Sequence, residues 1–123
     1  MKIKELMKKP FVIEKDLSLF DAAKLMVKYS TNNLLMVSGE KIRGILTYHD
    51  LVNHFGESVN VSRVMTKQVV SVKEEDKVQE AIDICHEKGI SIFPVLSSKG
   101  KLVGILDTKD ILKTIDNEDF LIE

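Results

Sequence analysis

The stretch I-R-G-I-L-T-Y-H-D-L, from Ile42 to Leu51, decides the reading of this chain, because it returns as L-V-G-I-L-D-T-K-D-I from Leu102 to Ile111. The same offset separates Gly44 from Gly104 and Asp50 from Asp110. Each copy reads as an apolar strand holding one glycine, a short polar turn, and the start of a new apolar-periodic segment.

Outward from this element, the rest of the chain falls into the same two copies. L-M-K-K-P-F-V-I (6–13) lies over V-M-T-K-Q-V-V-S-V (64–72). L-F-D-A-A-K-L-M (19–26) lies over V-Q-E-A-I-D-I-C (78–85), and S-T-N-N-L-L-M-V (30–37) over G-I-S-I-F-P-V-L (89–96). Short strands are expected at Phe11–Ile13 and Val69–Val72. Leu19, Ala22, Ala23 and Met26 share the i, i+3, i+4, i+7 spacing of an amphipathic helix with Val78, Ala81, Ile82 and Cys85. Ser18 with Asp21 and Asp76 with Gln79 resemble capping boxes. Gly89 suits a left-handed C-cap, a place that Ser30 holds in copy one.

Two strands follow in each copy, Leu34–Val37 and Ile42–Leu46, then Ile92–Leu96 and Lys101–Leu106, joined by short glycine-bearing connectors. A last helix begins near Thr47 or Asp107. Leu51, Val52 and Phe55 lead it to Gly56 in copy one, and Ile111, Leu112 and Ile115 carry its apolar face in copy two. The expected fold class is α+β (α/β-like), with two β-α-β-β-α repeats packed in pseudo-two-fold symmetry. Repeat 1 covers 1–56, a polar linker 57–60, repeat 2 61–115, and an acidic tail 116–123. A unit of this size is marginal alone, so the copies are expected to pack together around a cleft.

Composition narrows the function classes. The formal net charge is −1 and the apolar fraction 44%, so a globular domain is expected and no basic field draws in nucleic acid. No apolar run approaches the roughly 20 residues of a membrane span. The single cysteine, Cys85, excludes an intramolecular disulfide framework. A cytoplasmic location follows as the expectation.

The paired elements resemble the CBS-domain family, specifically a tandem pair (a Bateman module). G-I-S-I-F-P-V-L at 89–96, V-G-I-L-D-T-K-D-I at 103–111, R-G-I-L-T-Y-H-D-L at 43–51 and V-M-T at 64–66 carry the resemblance. Copy one departs from it, since S-T-N-N-L-L-M-V lacks the glycine and proline. The resemblance implies a regulatory, non-catalytic module that binds an adenosyl ligand (AMP, ADP, ATP or S-adenosylmethionine) in the cleft. It also implies a homodimer and an unidentified regulated protein, with the nucleotide as regulatory ligand rather than required cofactor. The alternative is a ligand-free structural module that only binds protein.

Thr47 and Asp50 form T-x-x-D at a helix start. As structure, this is a capping box. As chemistry, a carboxylate accepts hydrogen bonds from a ribose diol, and free N–H groups at a helix start suit phosphate. The resemblance adds Thr66, Val70, Ile90 and Ser91 from copy two, with Val70 and Ile90 flanking adenine. As plain structure, Val70 and Ile90 are core.

A second, weaker site would join Asp107 and Asp110 to Val12, Thr31 and Asn32. Asp107 stands where the family has Ser or Thr. Two like charges 4 Å apart repel by about 4 kcal/mol at an effective dielectric of ~20. This site is therefore expected to stay empty or to take a neutral or cationic ligand such as adenosine or S-adenosylmethionine.

Cys85 aligns with Met26 and is expected in the core. His49 and His54 miss the i, i+4 spacing of a helical metal pair, and His86 has no Cys or His partner at such a spacing, so no metal site is expected. Lys8, Lys9 and Lys67 could approach phosphates, but as loop lysines they are expected to face solvent. No nucleophile elbow, P-loop or catalytic triad pattern occurs, and with the two repeats taking up nearly all of this sequence no catalytic domain is expected.

Overall fold

The computed structural model describes residues 1–113, so Ile115 and the tail 116–123 lie outside the described residues. The chain forms two compact units, one of Pro10–Val69 and one of Met1–Lys9 with the chain from Val70 onward. We call them the copy-one and copy-two units.

In the copy-one unit, β1 (Val12–Ile13), α1 (Leu19–Tyr29), β2 (Asn33–Ser38), β3 (Lys41–Thr47) and α2 (Tyr48–Asn53) follow one another, and a short α3 (Val61–Val64) closes the unit. The sheet order is β1-β2-β3. β1 runs parallel to β2, with Val12 opposite Leu35, and β2 runs antiparallel to β3, with Asn33 opposite Thr47. As the middle strand, β2 is buried from Asn33 to Val37, which is why it reads as a continuous apolar run rather than an alternation. Ser18 caps α1 by accepting from Asp21 N, and Ser30 ends it in the left-handed region at φ 51°.

The copy-two unit repeats the plan with β4 (Val72–Lys73), α4 (Val78–Lys88), β5 (Ile92–Leu96), β6 (Leu102–Asp107) and a helical stretch over 108–113. β4-β5-β6 has the same mixed pairing, and its bulge at Val95/Leu96 matches that at Met36/Val37. Gly89 closes α4 in the left-handed region, as expected. Asp76 does not cap α4. Lys77 holds the N-cap position, and the Asp76 carboxylate instead accepts from Lys73 N at 3.0 Å, closing the turn before the helix.

The compact units exchange the segments that lead into each repeat. Ile3, in a 3₁₀ turn over Ile3–Glu5, is fully buried among Val72, Val78, Ala81, Phe93, Val95, Leu106 and Ile111 of copy two. Val61 is buried among Ile13, Leu19, Ala22, Met26, Leu34 and Leu46 of copy one. The exchange continues along the β-edges. Lys8 pairs with Ile105 through two backbone hydrogen bonds of 2.9 Å, and Thr66 pairs with Ile45 through bonds of 2.9 and 3.0 Å. Each lead-in therefore adds a bridge to the third strand of a sheet, beside the turn that follows it. Cys85, expected in the core, is half-buried, whereas its counterpart Met26 is fully buried. The last turn of α4 thus sits shallower than that of α1.

Candidate functional site

At the end of β3 the expected T-x-x-D turn forms a reciprocal capping box. Thr47 N donates to Asp50 Oδ2 at 2.9 Å, and Asp50 N donates to Thr47 Oγ1 at 3.4 Å. The Thr47 hydroxyl also reaches Asp50 Oδ2 at 3.2 Å. One carboxylate oxygen thus holds the turn, while Oδ1 takes no part in these bonds. Both residues are half-buried, so a polar group is set firmly at an accessible sheet end.

The sheet brings Thr31 and Asn32, expected at the second site with Asp107 and Asp110, to this end instead, together with Asn33. Asn33 lies opposite Thr47, and Tyr48 N, the first amide of α2, donates to Asn32 O at 3.1 Å. Thr31 Oγ1 donates to Asn33 O at 3.2 Å, and Asn33 Nδ2 donates to Asn32 Oδ1 at 2.8 Å. Asn33 is buried, and sequence reasoning passed over it because it opens an apolar run. Thr66, expected as a contribution of copy two, belongs to the copy-one unit, since its backbone pairs with Ile45 two residues before Thr47. Val12 is exposed on β1, the strand at the other edge of this sheet.

Val70, Ile90 and Ser91 are residues of the copy-two unit. Val70 and Ile90 are half-buried and pack against its core, which satisfies their plain structural reading. Ser91 O accepts from Thr108 N at 2.9 Å, the counterpart of the Asn32–Tyr48 bond. Asp107 Oδ1 accepts from Lys109 N at 3.0 Å, so Asp107 does act at the helix start. Asp110 is engaged by Lys8, with Nζ 3.2 Å from Oδ1. Lys8 was read as solvent-facing. The repeat alignment held the signal, because it sets Lys8 on Thr66.

Among the described residues no group of three or more His, Cys, Asp or Glu is placed to hold a metal ion, and no helix is long and apolar enough to cross a membrane.

A model of the CBS domain matches residues 3–57 and again 61–117. An uncharacterized 17.7 kDa protein of Acidianus ambivalens is 29% identical over 87% of this chain and 68% of its own length. The inosine-5'-monophosphate dehydrogenase of Nitrosopumilus maritimus is 34% identical over 87% of this chain, which spans only 22% of that enzyme. Among solved structures, the CBS domain pair of protein MJ0100, in complex with 5'-methylthioadenosine and S-adenosyl-L-methionine, superposes with a TM-score of 0.87. It is 25% identical, with 96% of this chain and 98% of that one covered. The CBS domain protein PAE2072 from Pyrobaculum aerophilum, complexed with AMP, shares the fold at a TM-score of 0.80 and 16% identity, over 89% of each chain.

Proposed function

We propose, because this chain belongs to the CBS domain family and carries the domain twice, that it is a regulatory module without chemistry of its own that senses an adenosyl ligand. The observation that carries this reading is the turn at Thr47. Its capping box ties up only one oxygen of Asp50, so the carboxylate keeps Oδ1 for a ribose hydroxyl. The hydroxyls of Thr47, at the end of β3, and of Thr66, paired with Ile45 of that strand, suit an uncharged or phosphate-bearing tail. The adenosine derivatives bound by the CBS pair of MJ0100 are the ligand class this supports. Val70, Ile90 and Ser91 belong to the reading as base contacts offered by the copy-two unit. A homodimer and a regulated partner protein complete it, since a module without catalysis acts only through a differential affinity for two states of something else.

A thermal-shift series with AMP, ADP, ATP, S-adenosylmethionine and adenosine tests it. A ligand at 100 times its dissociation constant stabilises the folded chain by about 2.7 kcal/mol, several degrees for a domain of this size. Asp50→Ala is expected to abolish the shift of at least one ligand while Asp110→Ala leaves that shift in place. No shift with any adenosine compound overturns the reading in favour of a ligand-free module that only binds protein.

A further inference from the structure

Two positions that are uncharged in the copy-one unit are charged in the copy-two unit, and they change together. Thr47 becomes Asp107, and Thr66 becomes Lys8. The second correspondence is one of structure as well as of sequence. Lys8 and Thr66 make the same two backbone bonds, to Ile105 and to Ile45. Each is thereby paired two residues before the end of the third strand, and antiparallel partners project on the same face as the residue two further along. The Lys8 side chain is exposed, at 67%, yet its ammonium is directed to the helix start, 3.2 Å from Asp110 Oδ1. That bond uses one of three N–H donors.

We propose that the copy-two turn selects a ligand tail bearing an ammonium and a carboxylate together, an α-amino acid, and that Lys8 is the residue that sets this preference. The inference rests on the adenosyl-ligand reading above and specifies its tail. The Asp107 carboxylate attracts the ammonium and repels a phosphate. Lys8 places a cation beside the acidic turn, and it holds the carboxylate of the tail. A tail that is merely neutral, such as methylthio, uses neither charge. The Thr47–Thr66 pair offers only hydroxyls and makes no such distinction.

Calorimetric titration of the full chain with S-adenosylhomocysteine and with 5'-methylthioadenosine isolates the tail, because both are neutral thioethers of adenosine and only the first carries the amino acid. The wild-type chain is expected to bind S-adenosylhomocysteine at least ten-fold more tightly. K8T removes that preference by weakening S-adenosylhomocysteine alone, K8R restores most of it, and the double variant K8T/D107T gains about ten-fold for AMP. Equal affinity for the two thioethers in the wild type overturns the proposal, and so does K8T weakening both alike, the mark of a structural role. Failure of adenosine, methylthioadenosine and AMP to bind at all overturns instead the adenosyl-ligand reading on which the proposal stands.

Discussion

The thioether of Met65 fills the space where a side chain of Gly44 would stand. A Cβ built on Gly44 lies 2.5 Å from Met65 Sδ and 2.9 Å from the backbone oxygen of Thr66. The same relationship holds between Gly104 and Met7, with a Cβ 2.6 Å from Met7 Sδ, but there the three nearest atoms all belong to the Met7 side chain and the backbone is not among them. The glycine that marks both repeats is therefore the place where a lead-in segment lies against the third strand. A methionine side chain can swing away, whereas a carbonyl in a two-bond bridge cannot. Gly44→Ala is expected to cost about 1–3 kcal/mol and Gly104→Ala less than about 1 kcal/mol. Urea midpoints of the two variants check the order, and an equal loss would show that the carbonyl of Thr66 yields as easily as a side chain.

The exchanged lead-ins make a second prediction, because each anchors a core in the other repeat. Ile3 is buried with the copy-two residues Phe93, Val95 and Leu106. Truncating a buried isoleucine to alanine costs about 2–5 kcal/mol through lost transfer energy and the cavity left behind. Ile3→Ala is expected to lower amide protection in α4, β5 and β6 while β2 and β3 keep theirs. Val61→Ala does the reverse, at a smaller cost for a smaller side chain. Hydrogen exchange read segment by segment decides it. Loss of protection in β2 and β3 on Ile3→Ala would mean that the lead-in belongs with its own repeat.

These two relationships mark where sequence reading stops. The order of strands and helices was legible because the duplication let each copy check the other, and because α1 and α4 keep a strict apolar spacing. The Thr47–Asp50 turn was legible because a capping box is local. Which sheet receives Ile3 or Val61 is a question of long-range packing, and K-I-K-E-L and V-S-R-V carry no period that names a partner. Lys8 is exposed, as a loop lysine is expected to be, but its pairing with Asp110 is illegible for a related reason, since nothing local names that partner. The spacing of Asp76 to Gln79 points to α4, but Lys73 lies at the same spacing on the other side, and its amide takes the carboxylate. Asn33 opens an apolar strand and is buried with an asparagine neighbour as partner, a pairing that no motif announces.

The last prediction concerns pH and the tether of the amino-terminal segment. Glu75 accepts from Lys2 Nζ at 2.7 Å and from Lys4 Nζ at 2.9 Å. The hydrogen bond from Lys2, then that from Lys4, holds the Glu75 carboxyl down at about 2 from an ordinary 4.5, and the pairing raises Lys4 above 10.5. A carboxyl whose folded value is depressed contributes its stability above the unfolded value and loses it as pH falls through the folded one. The tether is therefore complete above about pH 4.5 and is lost progressively down to about pH 2. Lys4 contributes below its ordinary value and stops doing so once pH rises past its raised folded value. The reporters are the amides of Ile3 and Lys4, which donate to Asp76 O and Glu74 O. Their protection factors are expected to fall between pH 4.5 and 2 in the wild type. Glu75→Gln starts lower and shows no such fall, and high salt shrinks the difference because both partners are solvent-exposed. An unchanged acid limb in Glu75→Gln would assign the loss to another carboxylate.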